Sequence, residues 1–237
     1  MNQLPTIQAA QNDADDRSDV RKVLVVGASG GSGRAAVAAL TAAGHHVTAF
    51  SRHADRLADE FGDIATINGD VMDRDDVDQA VAGHDAVVVT LGITENPIRV
   101  QLLGPKRTPL DVRSTGTRNV IDAMNAHGVG RLVVQSSYGI GPTRGSLGLT
   151  DRLFFALLVK KQMADTETQE RIVRSSGLDW TLVQPVHLND DADGPDAWRS
   201  TTGETREMKV SRTVVGRTVS QVVTDPTLSY ETLSVSG

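Results

Sequence analysis

Apolar runs and helical patterns alternate along most of this chain. Short runs containing valine, isoleucine or leucine predict strands over 22–26, 46–50, 64–68, 85–89, 131–135 and 178–183, and a last edge strand over 232–235. Apolar residues spaced three and four apart predict helices over 32–43, 75–82, 111–127, 165–175 and 210–224. Because strands and helices alternate, the pattern predicts an α/β fold, a doubly wound parallel sheet with helices on both faces.

Two segments lack this regular pattern and are long for loops inside a compact domain. They cover about 93–110 and 186–210, and we expect them to build the substrate region. The second segment contains Trp198, which is expected to form a wall of that region. The first contains basic residues that could meet an acidic substrate or a cofactor phosphate, or could be solvated loop charges. These basic residues are Arg99, Lys106 and Arg107.

Composition limits the function classes. Hydrophobic residues make up 39% and charged residues 23%, as in an ordinary globular domain. Polar and acidic residues 1–20 predict a flexible leader, which leaves 21–237 as a single domain. The net charge of −6 argues against nucleic-acid binding, and no apolar run reaches the length of a membrane span. We therefore expect a cytoplasmic monomer or homodimer that acts on a small molecule.

The sequence contains no cysteine. This absence excludes disulfides, thiolate catalysis and cysteine-based zinc sites, and it is compatible with a reducing compartment. No metal site is expected. The remaining chemical signals therefore lie in glycine, arginine and hydroxyl side chains at the ends of the predicted strands.

A glycine-rich turn joins the first strand to the first helix: Gly27-Ala28-Ser29-Gly30-Gly31-Ser32-Gly33-Arg34. Gly27 would let the chain leave the strand in a tight turn, and Gly30 has no side chain to block a pyrophosphate. Gly33 would let the helix pack close to the strand. Free N–H groups at the helix start and the positive end of its dipole would then face the anion. The pattern therefore predicts dinucleotide binding rather than a plain βα turn.

The end of the second strand indicates which dinucleotide binds. An NAD-specific site would place Asp or Glu here to accept a hydrogen bond from the ribose 2′-hydroxyl. This chain has Ser51 and Arg52, which suit a 2′-phosphate, and Arg34 could supply a second guanidinium. Arg52 could instead be a solvated loop residue, but its position favours NADP(H) over NAD.

Two further strands end in residues that could contact this cofactor. Asp70, followed by Val71, could accept a hydrogen bond from the adenine amino group. Alternatively it could be an N-cap or a turn residue, since Asp73 and Asp75 follow closely. Thr90-Leu91-Gly92 ends the fourth strand at the carboxyl edge, where ligands bind in open α/β sheets.

The candidate chemistry lies at the ends of the fifth and sixth strands. Ser137 and Tyr138 follow the fifth strand, where a hydride acceptor would lie, and either could orient the nicotinamide or the substrate. A hydroxyl at a strand end could also serve only as a backbone cap. Pro185-Val186-His187 ends the sixth strand at the same edge, and His187 could pack beside the cofactor or be exposed.

These motifs resemble the atypical short-chain dehydrogenase/reductases, and most closely the NmrA-like and flavin reductase (biliverdin reductase) type of NAD(P)-binding protein. The resemblance covers nearly everything after about Arg21, and the segment Ser176-Gly177-Leu178-Asp179-Trp180-Thr181 is its most specific part. It implies a Rossmann fold with a small C-terminal substrate region. The resemblance also implies NADP binding by residues 27–34, 51–52, 70–71, 90–92, 137 and 185–187.

The chain departs from that family in its catalytic residues. Most short-chain dehydrogenases use a tyrosine as the acid, with a lysine four residues later that lowers the tyrosine pKa. Neither tyrosine of this chain, Tyr138 or Tyr230, has a lysine four residues on. In addition, many relatives have an arginine where this chain has Gln184.

We therefore interpret the chain as an NADPH-dependent reductase for a small conjugated acceptor such as a flavin or quinone. Such an acceptor needs no strong protein acid, so proximity would provide most of the rate enhancement. One alternative is a non-catalytic NADP(H)-binding redox sensor that acts through a protein partner. Another is an isomerase or dehydratase with a permanently bound cofactor.

Overall fold

A computed structural model of the chain describes residues 20–93, 95, 104, 106, 108–146, 160–191 and 194–237. Its strands are β1 (Lys22–Val26), β2 (His46–Ser51), β3 (Ala65–Asn68), β4 (Ala86–Val89), β5 (Arg131–Gln135), β6 (Asp179–Pro185), β7 (His187–Asn189), β8 (Trp198–Ser200), β9 (Lys209–Ser211) and β10 (Glu231–Ser236). Its α-helices are α1 (Gly31–Ala42), α2 (Ala58–Phe61), α3 (Arg74–Val81), α4 (Val112–His127), α5 (Lys160–Arg174) and α6 (Arg212–Thr224). Short 3₁₀ helices cover Ala54–Leu57, Gly141–Ser146 and Pro226–Leu228.

Eight of these strands form one sheet in the order β3-β2-β1-β4-β5-β6-β10-β8. All neighbours pair in parallel except β10 and β8, which pair antiparallel. The chain moves outward from β1 to β3 and then returns to the other side of β1 at β4. This reversal leaves a crevice outside the carboxyl ends of β1 and β4, where open α/β sheets bind their ligands. The predicted doubly wound α/β fold is confirmed.

The sheet is buried on both faces, as parallel sheets generally are. Successive residues of a strand point to opposite faces. Val23 and Val25 therefore belong to the core formed with α1 and α6. Leu24 and Val26 belong to the opposite core, formed with α3, α4 and α5. The carboxyl ends of the central strands β1, β4 and β5 are thus held by packing on both sides.

The C-terminal third differs from the sequence expectation. Part of the segment expected to be irregular forms β8, which pairs with β10. As a result, β10 lies inside the sheet rather than at its edge. Short β7 and β9 form a second, two-stranded parallel sheet. Three-residue strands such as these have too few positions to show a pattern, so their pairing depends on partners that are distant in sequence.

Some predicted features lie outside the described residues. These are the leader apart from Val20 and most of the first irregular segment, including Arg99 and Arg107. In the part of the chain that the structure covers, none of the helices has the length and apolar character needed to cross a membrane.

Candidate functional site

A cavity of about 840 Å³ opens at the carboxyl ends of the parallel strands. It extends from the turn after β1 past the ends of β2, β4 and β5 to the end of β6. The fold brings almost the whole predicted site to this cavity. The predicted residues that line it are Gly27, Ser29, Gly30, Gly31, Ser32, Ser51, Arg52, Asp70, Val71, Thr90, Leu91, Gly92, Ser137, Tyr138, Pro185, Val186 and His187.

The glycine turn has the backbone geometry that a tight strand-to-helix turn requires. Gly27 has φ +84°, in the left-handed region that favours glycine. Its N–H donates to the carbonyl of Phe50 at 3.0 Å, which ties the turn to β2. Gly33 does not line the cavity. A Cβ on Gly33 would lie 2.3 Å from the carbonyl oxygen of Gly27, so this residue lets α1 approach the turn closely.

The start of α1 is open to an external anion. Gly30 is its N-cap residue and provides no side-chain cap, and the first turn contains no acidic residue. The first N–H groups of a helix have no partner within the helix, and they carry the positive end of its dipole. A Cβ on Gly30 would meet only the Gly27 carbonyl oxygen, at 3.5 Å, so the space above the turn is open. This turn therefore fits the diphosphate of a dinucleotide.

The end of β2 carries the predicted 2′-phosphate residues. Ser51 and Arg52 both line the cavity, and Arg52 is exposed. The Ser51 Oγ is buried and has no hydrogen-bond partner among the described residues. A buried hydroxyl without a partner is costly unless a ligand or water satisfies it. The residues at this position therefore fit an additional phosphate group.

Arg34 is placed differently from the sequence expectation. Its guanidinium forms an ion pair with Glu60 and does not line the cavity. Glu60 belongs to α2, and the sequence alone gave no reason to place α2 beside α1. The structure therefore pairs Arg34 with a carboxylate of its own chain rather than directing it to the cavity.

Asp70 is a turn residue that also lies at the cavity. It lines the cavity, and its Oδ1 accepts a hydrogen bond from the Met72 N–H at 3.0 Å in a local turn. Asp73 is the N-cap of α3 and accepts from the N–H groups of Asp75 and Asp76. The local turn thus holds Asp70 at the rim of the cavity.

The two candidate catalytic hydroxyls have different surroundings. The Tyr138 phenol is buried and donates to the carbonyl of Gly203 at 2.9 Å. Ser137 is half-buried, and its hydroxyl makes no hydrogen bond to another described residue. Both residues line the cavity, but only the Ser137 hydroxyl is left available for a ligand.

A buried polar network that was not predicted joins the residues at the ends of β5 and β6, and it includes Ser136, the neighbour of Ser137 in the chain. Glu170 is 1% exposed and accepts hydrogen bonds from the Ser136 hydroxyl, from Gln184 Nε2 at 2.6 Å and from Arg174 Nη1 at 2.9 Å. Because Ser136 follows β5 and Gln184 belongs to β6, the carboxylate joins the two strand ends beside the cavity. A polar Gln184 inside an apolar strand was the available sequence signal.

Three other polar residues line the cavity without having been predicted. Gln135 Nε2 donates to the Ser32 hydroxyl at 2.9 Å and so links β5 to the glycine turn. Arg113 lies beside Gly92, and burial lowers the pKa of its guanidinium although nearby Asp165 opposes the shift. Arg212, the first residue of α6, lies against the glycine turn.

Trp198 does not form the expected wall of the cavity. It lies in β8, outside the residues that line the cavity, and the Arg206 guanidinium is 3.8 Å from its ring centroid. The second irregular segment instead contributes Val186, His187, Leu188 and Met208 to the lining. From the first segment, the described residues Ile93, Glu95, Thr108 and Pro109 line the cavity. Lys106 is tied to this loop, since its N–H donates to the Glu95 carboxylate at 2.9 Å.

Comparisons with known proteins agree with this geometry. Residues 27–226 match the family described as NAD(P)H-binding. The chain is 24% identical to an uncharacterised chloroplast protein of Arabidopsis thaliana, At2g34460, over 97% of this chain and 81% of that protein. It also superposes on a short-chain dehydrogenase/reductase of Veillonella parvula in complex with NADP, with a TM-score of 0.73, 17% identity and coverage of 92% and 94%.

A third similar protein is the anaerobillin reductase ChuY of Escherichia coli O157:H7. That structure matches with a TM-score of 0.70 and 23% identity, over 90% of this chain and 96% of the other. At these identities the two structures show the fold alone. The family match confirms the predicted resemblance to NAD(P)-binding proteins, and the two structures confirm the predicted fold.

Proposed function

Because this chain belongs to the NAD(P)H-binding family, we propose that it is an NADPH-dependent oxidoreductase that reduces a small conjugated acceptor, such as a flavin or a quinone. The observation that carries the proposal is the continuity of one cavity. It joins the glycine turn and the end of β2 to the unengaged hydroxyl of Ser137. Cofactor and acceptor therefore have adjoining space in a single site.

The described residues suit each part of the cofactor. The start of α1 would hold the diphosphate, Ser51 and Arg52 the 2′-phosphate, and Asp70 the adenine. When bound, NADPH supplies a hydride to an electrophilic acceptor. The protein would contribute orientation and exclusion of water, and the Ser137 hydroxyl could hold an acceptor or nicotinamide oxygen in place. The substrate region would be formed by the cavity-lining parts of 93–110 and 186–210.

Two features favour an acceptor that needs no strong protein acid. The sequence has no tyrosine followed four residues later by lysine. The Tyr138 hydroxyl, moreover, is already bonded to the Gly203 carbonyl. The likeness in fold to a protein named an anaerobillin reductase supports a reductase activity.

The same two features favour a second candidate, a redox sensor that binds NADP(H) without turnover. Mixing the purified protein with NADPH and a panel of flavins and quinones, and following the reduced-nicotinamide absorbance, separates the two. We expect turnover with at least one acceptor. Tight NADPH binding without turnover of any acceptor would contradict the reductase function and support the sensor function.

Charge reversal at Arg52 tests the cofactor preference. We expect Arg52→Glu to weaken NADPH binding by about ten- to a hundredfold, because a charge-assisted hydrogen bond is lost and repulsion replaces it. NADH binding should change by less than about threefold. Arg56→Glu is a matched control, since Arg56 is also exposed but does not line the cavity. Equal losses for NADPH and NADH, measured by calorimetry, would contradict the 2′-phosphate role.

A further inference from the structure

Arg212 lies where the cavity, the glycine turn and the start of α6 meet. The position that a Cβ on Gly31 would occupy is 3.0 Å from both Cδ and Nε of Arg212. The arginine side chain therefore lies directly over the first residue of α1. It lines the same cavity as Gly30 and Gly31 and is 30% exposed.

The surroundings of Arg212 are unfavourable for a cation in the absence of a ligand. Arg212 is the first residue of α6, so it lies at the positive end of that helix dipole. The two helices begin side by side, because a Cβ on Gly216 of α6 would lie 2.4 Å from the carbonyl oxygen of Ala35 in α1. The guanidinium thus adds a positive charge close to two positive helix ends. An anion in this part of the cavity would relieve that repulsion.

Among the described residues, the counterion of Arg212 is a weak one. Arg212 Nη1 forms an ion pair with Asp190, whose side chain is 84% exposed. Ion pairs with carboxylates this exposed contribute little to stability, because water and salt screen them. Asp190 can therefore give way to a stronger anion at little cost.

We propose that Arg212 is a ligand of the cofactor diphosphate, and that Asp190 is its counterion when no cofactor is bound. A guanidinium suits this task because its N–H donors can bind phosphate oxygens in pairs. The other cavity arginines lie elsewhere, since Arg52 follows β2 and Arg113 lies beside Gly92 after β4. Arg212 would act on the part of the molecule that NADPH and NADH share. The inference rests on cofactor binding alone, so a lack of reductase turnover would leave it intact.

Calorimetric titration of Arg212→Gln with four probes tests this assignment. NADPH, NADH and ADP-ribose contain the diphosphate, whereas adenosine 2′-monophosphate contains only the 2′-phosphate. We expect the variant to lose about tenfold in affinity for each of the first three and to change less than twofold for the fourth. Arg217→Gln is the matched control, because Arg217 lies on the same helix, forms an ion pair with Asp196 and does not line the cavity. It should change binding of every probe by less than twofold.

Several outcomes would overturn the proposal. These are unchanged affinities in Arg212→Gln, a loss confined to NADPH, and an equal loss for adenosine 2′-monophosphate, which would indicate general damage to the site. Asp190→Asn tests whether Arg212 acts by binding the ligand or through its ion pair with Asp190. If Arg212 binds the diphosphate, the variant should bind NADPH as tightly as the unsubstituted protein or more tightly. A loss as large as that of Arg212→Gln would instead make the ion pair the important element. If Arg212→Gln does not fold, Arg212→Lys replaces it, with a smaller loss expected across the same three probes.

Discussion

Removing the buried carboxylate of Glu170 should destabilise the protein more than removing an exposed carboxylate on the same helix. Glu170 accepts from the Ser136 hydroxyl, Gln184 Nε2 and Arg174 Nη1, and these bonds join the ends of β5 and β6. In Glu170→Ala, the Ser136 hydroxyl and one N–H of the Gln184 amide stay buried without an acceptor, although Gln184 Nε2 keeps its hydrogen bond to the Ile140 carbonyl at 3.1 Å. Arg174 is 31% exposed and can partly hydrate.

The expected cost follows from these contacts. A hydrogen bond to a charged group contributes about 1.5–3 kcal/mol, and such contributions within one network are not additive. The variant also no longer bears the desolvation cost of burying a carboxylate, which offsets part of the lost stability. We therefore expect Glu170→Ala to lower the free energy of unfolding by about 3 kcal/mol. For a chain of this size that corresponds to a fall in melting temperature of roughly 6–12 °C.

Urea unfolding followed by circular dichroism measures this cost, and Glu167→Ala provides the control. Glu167 lies one turn earlier on α5, and its side chain is 46% exposed and paired with Arg144 at 3.2 Å. Its removal should cost less than about 0.5 kcal/mol, as exposed ion pairs usually do. If the two variants lose similar stability, or if Glu170→Ala loses less than about 1 kcal/mol, the network does not hold the strand ends together as argued.

Two further predictions concern the glycine turn and pH. Gly30→Val should change the free energy of unfolding by less than about 0.5 kcal/mol and abolish binding of both NADPH and NADH. Gly33→Val should instead lower the free energy of unfolding by about 2 kcal/mol or more, because its Cβ would overlap the Gly27 carbonyl. Urea denaturation and calorimetric titration measure these two effects, and equal stability losses in the two variants would contradict the different roles of the two glycines. Burial lowers the pKa of His84, whose Nε2 lies 2.8 Å from Thr48 Oγ1. The folded state thus favours the neutral imidazole. The contribution of His84 to the free energy of unfolding is therefore complete above about pH 6.5, and it is lost as pH falls through the lowered pKa. Between pH 7 and about pH 5, the free energy of unfolding should therefore fall less for His84→Gln than for the unsubstituted protein. An equal fall in both proteins would contradict this prediction.

Local features of the chain were predictable because their causes are local. The bounds predicted for β1 and β5 match the structure, since each is an apolar run bounded by polar residues or glycine. The roles expected of Gly27 and Gly33 depend on backbone angles and on contact with the adjacent turn, so the spacing of the motif already indicates them. The strand ends converged on one cavity because a parallel sheet places all its carboxyl ends at one edge.

Contacts between distant parts of the chain were decided only by the tertiary structure. Arg34 is paired with Glu60, and Arg212 of the last helix lies over Gly31. Glu170 lies on a helix whose face toward the β5 and β6 ends cannot be deduced from its amphipathic pattern.

Sequence periodicity therefore determined the main strands and helices and which of their ends face the cavity. It could not determine which charged side chains reach the cavity, because a long flexible side chain takes the partner that packing brings within hydrogen-bond distance. For Arg34 that partner is Glu60, and for Arg212, whose side chain lies over the start of α1, it is the exposed Asp190.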